Sequence, residues 1–124
     1  MTLRAFEAFG IEIEYMVVDR STLTVQPIVD ELLTRAAGKL TGDFEDGAVT
    51  WSNELALHVL ELKNTGPAPL RGGAGEFARS AAFADGLLAK LGCRLMPGGM
   101  HPLFRPDEFK RWPHDSGEIY AAYD

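Results

Sequence analysis

The chain has 124 residues, 46% of them hydrophobic and 24% charged, which is the composition of a folded soluble protein long enough to bury a core. Its formal net charge of -6 argues against non-specific binding to nucleic acid or an anionic membrane, but leaves room for a small anion at a local metal site. The one cysteine, Cys93, allows no internal disulfide and fits a reducing, cytoplasmic setting; the start, MTLRAFEAFG, has no apolar run of signal-peptide or membrane-span length.

The expected unit is one domain over residues 1–124, or part of one, without repeats. Its first patterned stretch is Phe9 to Asp19, FGIEIEYMVVD. β-branched and aromatic residues at alternate places predict a strand. Alternation puts Ile11, Ile13 and Tyr15 on one face and Glu12, Glu14 and Met16 on the other. Two carboxylates then share a face, with Cα atoms roughly 6–7 Å apart. A cation between them relieves their repulsion, and Mg²⁺ takes such oxygen ligands. A solvated surface strand accounts for the same E-x-E pattern.

Arg20-Ser21-Thr22 reads as a turn, after which Leu23-Thr24-Val25 pairs back as a short strand. A helix is expected to begin at Pro27, with Ile28, Leu32 and Ala36 on its apolar face beside Val29 and Leu33, and to stop at Gly38. Thr41 to Gly47 reads as a polar connection. Ala48 to Lys63 predicts two short strands with a turn or bulge near Ser52-Asn53. In the second of these, Val59, Glu61 and Lys63 share a face. Glu61 is then a charge amid apolar residues and needs a partner, either Lys63 or a functional cation. Glu54 reads equally well as a surface charge.

Thr65 to Gly75 is a Pro/Gly-rich loop without the spacing of a phosphate-binding loop. Glu76 to Leu91 is the clearest helix, with Phe77, Ala81, Ala84, Leu88 and Leu91 on one face and Gly92 ending it. Cys93 to Met96 predicts a third strand leading into Pro97-Gly98-Gly99-Met100-His101-Pro102. The glycines there let backbone approach a ligand. His101 either touches a substrate or metal, or hydrogen-bonds its own loop. Asp107 to Trp112 predicts a helical turn, His114 a pairing with Asp115, and Glu118 to Tyr123 a helix that runs off the end of the pattern. That last feature suggests a piece of a longer protein.

Three stretches, FGIEIEYMVVD (Phe9–Asp19), WSNELALHVLELKN (Trp51–Asn64) and LMPGGMHPLF (Leu95–Phe104), together with the tail WPHDSGEIYAAYD, resemble the glutamate–cysteine ligase family of the second, plant and bacterial, type and its carboxylate–amine ligase relatives. The resemblance implies an α+β, glutamine-synthetase-like fold: an antiparallel sheet bearing the active site on one face, with helices packed on the other. It implies ATP-dependent joining of a carboxylate to an amine through an acyl phosphate, Mg²⁺ as cofactor, glutamate and an amine such as cysteine as substrates, and a link to glutathione biosynthesis. Glu12, Glu14 and Glu61, and less firmly Glu54, match the family's metal- and substrate-binding acids. Gly98, Gly99 and His101 match a substrate-loop motif.

Family members are much longer, so the chain is expected to be the N-terminal third of a ligase. It would hold part of the metal site and lack most of the ATP site, since Arg71, Arg79, Arg94 and Lys110 form no phosphate-binding pattern. Open strand edges would then favour homo-oligomers. The alternative is a truncated, non-catalytic module that self-assembles through its sheet and at most binds a divalent cation or amino acid. A metal-dependent hydrolase is a weaker alternative, because the chain lacks histidine clusters.

Overall fold

The structure, a computed structural model, describes residues 2–98, 100–114, 119, 120 and 122. It is α+β. Five strands run β1 (Glu12–Asp19), β2 (Asp43–Asp46), β3 (Val49–Asn53), β4 (Val59–Asn64) and β5 (Cys93–Pro97), with helices α1 (Val29–Ala37) and α2 (Ala74–Ala89). The strands form one antiparallel sheet in the order β2-β3-β4-β1-β5. β1 therefore lies inside the sheet, between β4 and β5.

Both helices cover the same face. α1 buries Val29, Leu32 and Leu33, carries Asp30 and Glu31 in its first turn and Arg35 in its last, as the helix dipole favours, and ends where Gly38 turns left-handed at φ 75°. α2 buries Phe77, Ser80, Ala84 and Leu88. Against them pack Val17, Leu60, Leu62, Val49 and Trp51, all fully buried, with Cys93 and Leu95 of β5. Each such side chain contributes roughly 1.5–3 kcal/mol through removal from water.

Trp51 also anchors a polar chain. Its Nε1–H donates to Ser80 Oγ at 2.5 Å, the Ser80 hydroxyl donates to Asp46 Oδ2 at 2.7 Å, and the Arg79 guanidinium reaches both Asp46 oxygens at 3.1 Å. This chain ties β3, α2 and β2 together. At the other end of the sheet, the Leu95 N–H donates to Asp85 Oδ1 at 2.7 Å, so α2 covers part of the outer edge of β5. Among the described residues no helix is long and apolar enough to cross a membrane.

The structure corrects several local expectations. The supposed connection Thr41–Gly47 contains β2. Its sequence, DFED, has poor strand propensity, but Phe44 packs edge-on against Trp51 at 5.2 Å and the segment pairs with β3 across Gly47-Ala48. No turn occurs at Ser52-Asn53; β3 runs through both, and the break falls at Glu54–His58. Leu23–Val25 makes only a single bridge, Val18 to Val25. α1 starts at Val29, two residues beyond Pro27. α2 begins two residues before Glu76, at Ala74.

In place of a helical turn over Asp107–Trp112 there is a short 3-10 helix at Pro106–Glu108, after which residues 110–112 run extended beside residues 55–57. The burial of Trp112, 3% exposed, drives that docking. Of the helix expected over Glu118–Tyr123, Ile119 and Tyr120 are helical; Glu118, Ala121 and Tyr123 lie outside the described residues, as do Asp115 and Gly99.

Replacing Ser80 with Ala removes two bonds and strands the buried Trp51 N–H. The expected loss is about 1–3 kcal/mol, seen as a lower midpoint in urea unfolding. An unchanged midpoint contradicts the role given to this chain.

Candidate metal centre

The sheet face away from the helices carries the acids. The register sets two rungs across it. Ser52 lies beside Glu61 and Glu61 beside Glu14; one step along, Thr50 lies beside Lys63 and Lys63 beside Glu12. Glu54 enters from the β3–β4 connection. That segment is held by backbone bonds from Trp112 N–H to Leu55 O at 2.9 Å and from Leu57 N–H to Lys110 O at 2.8 Å.

Glu14, Glu54 and Glu61 each present a carboxylate oxygen, and the three oxygens lie within 4.8 Å of one another. A hard divalent ion coordinated at about 2.0–2.6 Å bridges oxygens up to about 4–5 Å apart. The donor set, all carboxylate oxygen from three chain segments, fits such an ion. Glu12 shares the face but stands outside this group: it is exposed, and its neighbour across the strand is Lys63.

Glu61 is the buried member, 7% exposed. Lys63 Nζ lies 2.9 Å from its Oε1, and the Ser52 hydroxyl donates to the same oxygen at 2.8 Å. Lys63 is thus the partner that the strand pattern foresees. Burial alone would raise the Glu61 pKa, but the hydrogen bonds from Lys63 and Ser52, the Lys63 charge and a bond with Glu54 together hold it below the ordinary glutamate value. The same pair raises Lys63. Glu54 goes the other way. Burial lifts its pKa, and the hydrogen bond and charge of Glu61, with the charge of Glu14, lift it further. The two hydrogen-bonded carboxyls are thus shifted in opposite directions, Glu54 up and Glu61 down.

His101 is engaged within its own surroundings: Nε2–H donates to Leu23 O at 2.7 Å, and Nδ1 accepts from the Leu103 N–H at 3.1 Å. This is the loop-fixing arrangement. Gly98, at φ 122°, takes a backbone conformation that favours glycine, directly after β5. Arg79 is committed to Asp46 and Glu76.

Two contributors escape a reading of the sequence. Ser52 follows only from the β3–β4 register. His58, 6% exposed, precedes the first residue of β4 and so breaks the alternation that would place it beside Leu60. Its ring lies 5.0 Å from Phe104, its Nδ1 is buried with no hydrogen-bond partner, and burial, with the charge of His101, lowers its pKa.

Fold and site together define an antiparallel-sheet protein with helices on one face and a convergent acidic cluster on the other. The family model described as glutamate-cysteine ligase family 2 matches residues 8–124, and the chain belongs to that family. It is also 36% identical over 117 residues to an uncharacterized protein of Archaeoglobus fulgidus. That match covers 93% of this chain and 31% of the Archaeoglobus protein, so the chain spans about a third of that relative's length.

The raised pKa of Glu54 has a definite sign. A carboxyl that holds its proton more tightly when folded stabilises the fold below its unfolded pKa and loses that contribution as pH rises through its folded pKa. In chelator-treated buffer, Glu54→Gln is expected to raise the urea midpoint at pH 7 and to leave it nearly unchanged at pH 4. An equal gain at both pH values, or a loss at pH 7, contradicts a raised Glu54 pKa.

Proposed function

We propose that Glu14, Glu54 and Glu61 hold Mg²⁺ in an ATP-dependent carboxylate–amine ligase that forms a γ-glutamyl amide bond. The carrying observation is the approach of three carboxylates, from three segments, on the face the helices leave open. Family membership supplies the reaction class. In that reaction a glutamate carboxylate oxygen attacks the γ-phosphorus of ATP and ADP departs. The amine nitrogen then attacks the acyl carbon, phosphate leaves and the amine gives up a proton.

All the early reactants are anions, and bound Mg²⁺ screens their repulsion and stabilises charge developing on the phosphoryl oxygens. The chain's own residues do the positioning. Lys63 and Ser52 hold Glu61 ionised, and the β1–β4 register sets Glu14 opposite it. Glu54 is the member whose raised pKa most disfavours the ionised form, which a bound cation would favour. Glu12, one rung away beside Lys63, extends the acidic face toward substrate. We assign Gly98, Gly99 and His101 to substrate binding; Gly98 directly follows Pro97, which pairs with Tyr15 beside Glu14. The polypeptide acts in the cytoplasm on small molecules, as one unit of a longer ligase.

The test, made on the longer ligase that contains this unit, is Mg²⁺-dependent release of ADP from ATP with glutamate and a panel of amines. Turnover is expected to need both co-substrates and to fall by about 100-fold or more in Glu61→Gln. Turnover indifferent to Glu14→Gln, Glu54→Gln and Glu61→Gln contradicts the proposal. Cation binding with no turnover at all favours the non-catalytic module instead.

A further inference from the structure

Strand register fixes Glu14 and Glu61, but Glu54 lies in the connection between β3 and β4, outside any strand. A ring of contacts with two remote segments places it. On one side the connection meets the start of α1, where the Val29 N–H donates to Leu57 O at 3.0 Å. On the other it meets residues 110–112, through Leu57 N–H to Lys110 O at 2.8 Å and Trp112 N–H to Leu55 O at 2.9 Å. Ala56, enclosed between these bonds, lines a solvent-open cavity of about 380 Å³ beside the acids.

A side-chain pair closes the ring. His114, just beyond Trp112, donates from Nε2–H to Oδ2 of Asp30, just beyond Val29, at 2.9 Å. Both side chains are mostly covered, and the His114 ring stands edge-on to the buried Trp112 at 5.0 Å. Arg35, on the same helix as Asp30, is engaged by Glu31 at 2.7 Å and so does not compete for it. Among the described residues, 110–114 belong to no strand of the sheet; Arg111 bridges to Ala56 instead. Their hold on the connection therefore depends on how their far end is anchored, and a hydrogen bond to a carboxylate is a stronger anchor than one between neutral groups. Further along the chain, Tyr120 Oη accepts from Asn53 Nδ2 at 3.1 Å, next to Glu54. Residues on either side of His114 thus bracket Glu54.

We infer that His114 and Asp30 are positioning residues for the metal site: their bond latches residues 110–114 across the β3–β4 connection and so holds the Glu54 carboxylate within reach of a cation bound by Glu14 and Glu61. The inference rests on the metal reading of the three acids. Residues that orient a ligand from behind commonly carry about 10–100-fold of a site's metal affinity. The latch acts on the one acid of the three that the sheet does not fix, so its loss is felt at Glu54 and not at Glu14 or Glu61.

The test compares the unaltered protein with His114→Ala in two readings. Without metal, backbone amide exchange is expected to quicken about tenfold at Leu57 and Trp112, while Leu62, inside the sheet, remains the more protected amide and shows that the fold is intact. In calorimetric titration, Mg²⁺ is expected to bind about tenfold more weakly. His114→Gln keeps an N–H donor and should recover most of both changes. Asp30→Asn weakens the bond from its other end and should move both readings in the same direction by less. In a Glu54→Gln background, His114→Ala should cost no further Mg²⁺ affinity, because the latch works through Glu54. Unchanged exchange at Leu57 and Trp112 overturns the latch and leaves the metal site standing. Quicker exchange with Mg²⁺ affinity intact, or an equal loss of affinity in both backgrounds, overturns the positioning role and leaves the pair a purely structural one. An unaltered protein that binds no Mg²⁺ overturns the metal reading and the positioning role with it, while the exchange reading still decides whether the latch holds the segment.

Discussion

A carboxylate inside a sheet must be compensated, and the site follows from how Glu61 is. With 7% of its surface exposed, it cannot rely on water. Lys63, two residues along the same strand, and Ser52, on the neighbouring strand, both address Oε1. One ammonium does not offset three carboxylates. Glu14 lies directly opposite Glu61, and Glu54 bends in from the connection between β3 and β4. Burial and the neighbouring Glu61 and Glu14 raise the Glu54 pKa, so crowding of the three acids disfavours its ionised form. Such residual repulsion costs stability, and a divalent ion turns it into binding energy.

The remainder of the fold holds these groups in place. β1 sits between β4 and β5; Glu14 is fixed opposite Glu61 on the β4 side, and the β5 pairing begins at the next residue, Tyr15. Packing of α1 and α2 against Trp51, Leu60 and Leu62 commits one face to the core and leaves the other free for polar work. Buried Trp112 pins the segment that carries Glu54, and through Ala56 it also sets one wall of the adjoining apolar cavity. The acidic cluster and the cavity thus share their supports.

Much of this was legible in the amino-acid order. The alternation of FGIEIEYMVVD places Glu12 and Glu14 opposite the core side of β1, and the helical spacing of Phe77, Ala84 and Leu88 gives α2 to within two residues at either end. The charge at Glu61 announces a partner, and Lys63 is the nearest cation. The family resemblance was carried by three short motifs, and the family model covers the same span. The illegible parts depend on contacts between segments remote in sequence. β2 forms because Phe44 meets Trp51, against the propensity of DFED. Glu54 joins the cluster because Trp112, nearly sixty residues on, docks beside Leu55. His58 leaves the strand pattern because β4 starts one residue later. His114 pairs with Asp30 at 2.9 Å, across 84 residues that no local pattern spans.

The central claim is that the three acids bind one divalent ion on the open face. Substoichiometric Mn²⁺, added to ¹⁵N-labelled protein and followed by paramagnetic broadening of backbone amides, reads its position directly. The account predicts that Glu14, Ser52, Glu54 and Glu61 broaden first, that Leu32, Leu33 and Leu88 on the helix side persist, and that Mg²⁺ restores the lost signals. Broadening centred on Asp43 and Glu45, or around His101, or spread evenly over the chain, contradicts it.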